Sequence, residues 1–210
     1  MKTVFVDVDT QIDFLFPAGA LYVPGAERLL PAIVCLNHFA AAQGIPLIST
    51  TDAHSEDDPE FRQWPPHCVA GTTGQLKPGE TLLSRRTTLG VQTGASIELG
   101  PQIPAQIIVE KQALDVFTNP NFTALLDSLE ADRYVVYGVA TDYCVRCAVT
   151  GLLGIGKPVV LVTDAIAAVN PEDGARTIAE FTARGGTLTT VSKISAPCVI
   201  LPSGLLRLSE

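Results

Sequence analysis

The chain has 210 residues, 47% of them hydrophobic and 17% charged, with a formal net charge of −8. This is a globular composition with ample core material, which excludes a disordered chain, and an acidic balance without a basic cluster argues against nucleic acid as partner. No apolar run approaches the ~18 residues a membrane helix needs. No secretory leader is evident, and five cysteines are odd and sparse for a disulfide scaffold, so a cytoplasmic setting is expected.

In chain order, apolar strand-like runs alternate with helical patterns. Residues 3–8, 45–50, 106–109, 134–139, 158–162 and 187–191 are short, β-branched and nearly continuous in hydrophobicity. Strands buried on both faces read this way. After the first of them, residues 27–43 set Leu29, Ile33, Leu36 and Ala40 on one helical face. Pro31 predicts a start nearer residue 30, and Gly44 a stop. Residues 51–105 hold Pro59, Pro65, Pro66, Pro78, Pro101 and Pro104 without periodicity. A long irregular segment inside a compact domain is usually functional.

Further helices are predicted over 122–129, from about 142 to 153, and from an Asn170 cap with Pro171 at its first turn to about 184, where Gly185-Gly186 ends it. The chain beyond residue 191 is weakly patterned and is expected to pack on the surface or on a second copy in a homo-oligomer. Strand–helix alternation predicts an α/β fold: one three-layer α/β/α domain spanning residues 1–210, with a six-stranded, mostly parallel sheet.

Open parallel sheets bind ligands beyond the carboxyl ends of their strands. The predicted strands end at Asp7-Val8-Asp9, at Thr51-Asp52-Ala53-His54, at Glu110-Lys111, at Gly138 to Cys144, and at Asp164. One rim thus receives carboxylates, an Asp-x-His pair, a lysine and a cysteine. Asp7 and Asp9 are not expected to point inward together.

Cys144 falls at a predicted helix N-terminus, where N–H groups and the dipole lower a thiol pKa and can form an oxyanion hole. A lone helical cysteine is otherwise a small hydrophobe. Cys144 and Cys147 also form a C-x-x-C, which after a strand can be a redox pair; a buried position one turn on is the preferred reading of Cys147.

Asp52, His54 and His67 suit a divalent transition metal with open positions for water or substrate, and Glu60 is a candidate extra ligand. Hydrogen bonding within the loop is the alternative for Asp52 and His54. Lys111 is either a solvated lysine or a cation held beside an acid and a thiol.

These residues, at these places, resemble the nicotinamidase/pyrazinamidase branch of the isochorismatase-like cysteine hydrolases. Val8-Asp9-Thr10-Gln11-Ile12-Asp13-Phe14 is similar to the family's V-D-x-Q-N-D-F, with Ile12 in place of Asn. Thr51 to His54 and Trp64-Pro65-Pro66-His67-Cys68 resemble its metal loop, and Gly138-Val139-Ala140-Thr141-Asp142-Tyr143-Cys144 its nucleophile turn.

The resemblance implies a nucleophile at Cys144, a base at Asp9 and a third triad member at Lys111. It further implies a cis Val139–Ala140 peptide, oxyanion donors at Ala140 and Cys144, and an aromatic substrate ring between Phe14 and Trp64. One metal ion (zinc first, then iron or manganese) would sit on Asp52, His54 and His67, with Glu60 as a candidate. The expected activity is hydrolysis of nicotinamide, and of pyrazinamide, to the acid and ammonia. The alternatives are another small amide or carbamoyl substrate, or a C-x-x-C oxidoreductase. Neither a membrane nor nucleic acid is an expected partner.

Overall fold

The computed structural model describes residues 1–95 and 103–195, with two short strands, Val199–Ile200 and Leu206–Arg207, paired antiparallel beyond them. Seven strands form one sheet: β1 (Thr3–Val8), β2 (Leu47–Asp52), β3 (Arg86–Leu89), β4 (Gln106–Lys111), β5 (Arg133–Val139), β6 (Val159–Ala167) and β7 (Thr187–Thr189). Their order is β3-β4-β2-β1-β5-β6-β7, and every pairing is parallel.

The expected six strands are therefore seven, and "mostly parallel" becomes wholly parallel. The added strand is β3, inside the stretch read as irregular. It is a half-exposed edge strand of sequence RTTL, so it carries no apolar run to announce it. β6 also runs past the expected end, to Ala167. Beyond an irregularity its register resumes as Gly138↔Ile166 and Val139↔Ala167.

The helices are α1 (Ile12–Leu15), α2 (Leu30–Ala42), α3 (Phe122–Leu129), α4 (Cys144–Gly154), α5 (Pro171–Ala183) and α6 (Val191–Ile194). A 3₁₀ turn, Ala26–Leu29, leads into α2, so the helix begins at residue 30, beside Pro31. Gly44 ends it at φ +65°, in the left-handed region. In α3, Phe122, Leu125, Leu126 and Leu129 recur at helical spacing and are all buried. Asn170 caps α5 by accepting from the Glu172 and Asp173 N–H groups, a contribution of about 1 kcal/mol.

Two apolar layers enclose the sheet. One joins Val4, Val6, Val8, Ile107 and Val136 to α3 and α4; the other joins Phe5, Leu47, Val135 and Tyr137 to α2. This three-layer arrangement leaves the carboxyl ends of β4, β2, β1 and β5 side by side. The chain moves outward in opposite directions from β1, toward β2 on one side and β5 on the other, which is where such sheets bind ligands. β1 and β5 approach closely at that end: Gly138 has φ +118°, and a Cβ there would lie 2.1 Å from the Val8 carbonyl oxygen.

Candidate active site and metal centre

β1 stops at Val8, and Asp9 turns out of the strand at φ +48°, with its N–H donating to the Thr50 carbonyl at 3.2 Å. Asp7 and Asp9 are both fully buried, but in separate polar groups, and only Asp9 joins the rim. Thr50 Oγ1 donates to Asp9 Oδ1. In the β2–β4 register Asp52 is the direct neighbour of Lys111.

The Lys111 ammonium joins the group together. Nζ lies 2.9 Å from Asp9 Oδ2, hydrogen-bonds Asp52 Oδ1, and lies 3.6 Å from Cys144 Sγ. Burial opposes its charge, but Asp52, Asp9 and Cys144 outweigh burial and hold the ammonium well above the usual lysine range. Lys111 is thus no surface lysine; it is 1% exposed.

Burial, with Asp52 assisting, raises Asp9 above the usual carboxylate range, against the pull of Lys111 and Thr50. Burial also pushes the Cys144 thiol well up, against Lys111 and with Asp9 and Asp52 adding to the rise. The sequence-based expectation of a lowered thiol pKa is therefore reversed. Cys144 does open α4, but burial beside Asp9 and Asp52 pushes its thiol up, against the Lys111 ammonium.

Beside this group lies the histidine loop. His54 N–H donates to the Cys68 carbonyl at 3.2 Å and Ala70 N–H to the His54 carbonyl at 2.9 Å, which ties residue 54 to the 67–70 segment. His54 Nδ1 meets Asp58 Oδ2 at 2.9 Å, and His67 Nδ1 meets the Pro65 carbonyl at 2.8 Å. Both Nε2 atoms then face Asp52 Oδ2, each at 3.8 Å.

Residues Asp52, His54 and His67 offer three ligand atoms within 4.8 Å of one another. Two metal–ligand bonds of about 2.0–2.2 Å span up to about 4.2 Å, so each 3.8 Å pair fits round one ion. Two further observations fit a cation. His54 Nε2 is buried and has no hydrogen-bond partner. Burial opposes charge on His54, yet Asp52 and Asp58 raise it to about 9, a measure of the negative field there. The carboxylate–imidazole pairing of Asp58 with His54 is the support that ligating histidines usually have. Glu60 borders the set without joining the cluster, and burial raises it above the usual carboxylate range.

A cavity of about 70 Å³ opens beside both groups. Its walls include Phe14, Trp64, Tyr143 and Val139; Asp52, Glu60, His67, Ala140 and Cys144 face into it. Phe14 packs on His67 with ring centroids 5.4 Å apart, and Trp64 meets Tyr143 edge-on at 5.4 Å. The Val139–Ala140 peptide is cis. Asp142 accepts from the Val169 and Asn170 N–H groups at 3.0 and 2.8 Å, holding Val169 at the mouth. Cys147 is half-buried, does not line the cavity, and, like Cys144 and Cys68, is a free thiol.

Residues 3–82 and 91–193 match the isochorismatase domain family. The chain belongs to that family. It is 30% identical to the nicotinamidase/pyrazinamidase of Mycobacterium tuberculosis over 79% of this chain and 86% of that protein. It is 29% identical to the nicotinamidase of Escherichia coli (strain K12), over 88% and 93%. The pyrazinamidase of Pyrococcus horikoshii, solved in complex with zinc, superposes with a TM-score of 0.74 at 27% identity, over 90% of this chain and 99% of that one.

Asp9, Asp52, His54, His67, Lys111, Ala140 and Cys144 come together at this rim, with Phe14, Trp64 and Glu60 beside them, whereas Asp7, Cys147 and the exposed Asp164 lie apart from it. Sequence reasoning missed the supports of this isochorismatase-family site. Asp58 stands four residues after His54, a spacing that could have flagged it. Gln11 stands in the family-like stretch 8–14 but was given no role: its side chain donates to the Asp52 carbonyl at 2.8 Å and accepts from the Asp52 N–H at 2.7 Å, pairing with β2 as a strand would. Phe61, 5.3 Å from the His54 ring and 5.7 Å from the His67 ring, gave no signal beyond its apolar character.

Proposed function

We propose that the chain is a hydrolase that converts nicotinamide, and pyrazinamide, to the acid and ammonia through a Cys144 thioester. The observation that carries this reading is the Lys111 ammonium set between Asp9 and the Cys144 thiol, with Cys144 lining an aromatic cavity that Asp52 and His67 also line. The similarity to nicotinamidases and to a zinc-bound pyrazinamidase supports it.

Asp52, His54 and His67 would hold one divalent ion, with Glu60 beside them, and zinc is the ion proposed. Bound there, the metal supplies a Lewis-acid anchor for the ring nitrogen of the substrate. Phe14 and Trp64 flank the ring and exclude water from it. Asp9 Oδ2, which has no aligned hydrogen bond, takes the Cys144 proton as sulfur attacks the carboxamide carbon.

Lys111 stays protonated and holds the carboxylate and the developing thiolate together. The N–H groups of Ala140 and Cys144 receive the oxyanion, each donor of this kind contributing roughly 2.7–4 kcal/mol. Asp9 returns its proton to nitrogen as the C–N bond breaks, releasing ammonia and leaving the thioester. Asp9 then draws a proton from an attacking water and passes it to sulfur as the acid departs.

Ammonia release from nicotinamide tests this on purified protein, beside Cys144→Ala and a chelated sample. Release that needs both Cys144 and metal is expected. No release from reduced, zinc-loaded wild type would overturn the substrate assignment and direct the search to other small amides and carbamoyl compounds.

A further inference from the structure

Asp13 touches neither the cavity nor the ligand set, yet it binds the segments that form both. Its Oδ2 accepts from the Cys68 N–H at 2.7 Å, one residue after His67. Its Oδ1 accepts from the Ala20 N–H at 3.0 Å, and its carbonyl from the Leu21 N–H at 3.2 Å. Leu21 through Val23 form one wall of the cavity. Hydrogen bonds from backbone N–H to an ionised carboxylate are among the stronger ones in proteins.

Two glycines keep the space this carboxylate needs. A Cβ at Gly74 would lie 2.0 Å from Asp13 Oδ2, and one at Gly19 would lie 2.3 Å from the Asp13 carbonyl oxygen. Cys68 itself sits at φ +44°, a left-handed conformation that a cysteine holds only when its surroundings enforce it. The Asp13 bond is one such enforcement. Without it Cys68 can relax toward an ordinary backbone, carrying His67 out of line with His54 and Asp52.

We propose that Asp13 is a positioning residue whose carboxylate clasps the cavity wall at 20–23 to the histidine loop at 67–68, coupling cation affinity to substrate fit. The inference rests on the metal reading above. Chelator competition for zinc on purified wild type and Asp13→Ala tests it, with KM and kcat measured in parallel. Zinc affinity is expected to fall about 10-fold or more, and KM for nicotinamide to rise by a larger factor than kcat falls. A residue that merely stabilises the fold would lower the melting temperature and leave both constants of the folded fraction alone.

Gly74→Ala keeps Asp13 but drives its carboxylate aside, so it should reproduce the zinc loss. The double variant should bind zinc no more weakly than Asp13→Ala alone. Asp13→Asn, with one acceptor left, should fall between. Should Asp13→Ala fail to fold, Gly74→Ala and Asp13→Asn decide the matter. Wild-type zinc affinity and KM in the folded variants would overturn the clasp, as would a wild type that binds no zinc. A wild type that binds zinc but does not hydrolyse nicotinamide would overturn the proposed substrate, and the zinc titrations would still decide the clasp.

Discussion

Two lysines are buried against the same end of β1, on opposite sides, and they differ in how their partners are satisfied. Lys77 pairs with Asp7 at 3.0 Å, and Asp7 also accepts from Thr10, Asn37 and Ser49. Asn37 in turn accepts from the Tyr137 hydroxyl at 2.6 Å, and Gln106 donates to Ser49 at 2.9 Å. Lys111 pairs with Asp9, Asp52 and Cys144. Among the described residues, the buried side-chain polar atoms without a hydrogen-bond partner are Asp9 Oδ2 and His54 Nε2, and both belong to the Lys111 side. A fully connected buried network holds a fold together; one less completely hydrogen-bonded, in which Asp9 Oδ2 meets Lys111 only as an ion pair at 2.9 Å, is poised to take up something else. The Asp7 group ties the 77–81 segment to the sheet, and the Asp9 group is the reactive one.

The largest expected effect separates the two aspartates. Asp9→Asn removes the base, and activity should drop by at least about 10³-fold, on the scale of losing a member of a catalytic triad, with melting nearly unchanged. Asp7→Asn leaves Lys77 as a buried, unpaired charge. That should cost about 3 kcal/mol or more and lower the melting temperature by roughly 6 °C or more, while kcat of the folded fraction stays near wild type. Equal kinetic losses in the two variants would erase the distinction.

A smaller effect concerns acid sensitivity. Burial raises the Asp9 carboxyl, and the reaction needs it ionised, so kcat/KM should fall as pH drops through a midpoint above the usual ~3.9 of aspartate. The Thr50 hydroxyl donates to the charged form. Thr50→Val should therefore move the acid limb further up; a downward or absent shift would remove Asp9 as the titrating base. The smallest change is Tyr137→Phe, which leaves Asn37 Oδ1 without its donor. It should cost about 1–3 kcal/mol in denaturant unfolding and leave the pH profile in place.

The strands most readable from sequence were those covered on both faces, because burial on two sides forces a continuous apolar run. β1, at residues 3–8, appears as predicted for that reason. β3 escaped because an edge strand with one exposed side needs no such run. The carboxyl-end reasoning found Asp9, Asp52, Lys111 and Cys144, since a parallel sheet must deliver the ends of neighbouring strands to one rim. It did not find Gln11 or Asp13, whose roles are hydrogen bonds to backbone groups distant in the chain, nor Asp58, which lies past the strand end and acts through the His54 ring.

Composition, apolar runs and cap residues by themselves determined the layered α/β class, the helix limits at Gly44 and Asn170, and which chemical groups reach the rim. These are local properties, set by backbone conformation and by which faces must be dry. Only the tertiary structure decided the desolvation of Cys144 beside Lys111 and Asp9, the burial of both Asp7 and Asp9, and the line-up of two imidazoles with Asp52. Those depend on desolvation and on charges brought within a few ångströms from distant parts of the chain, and local pattern carries no record of either.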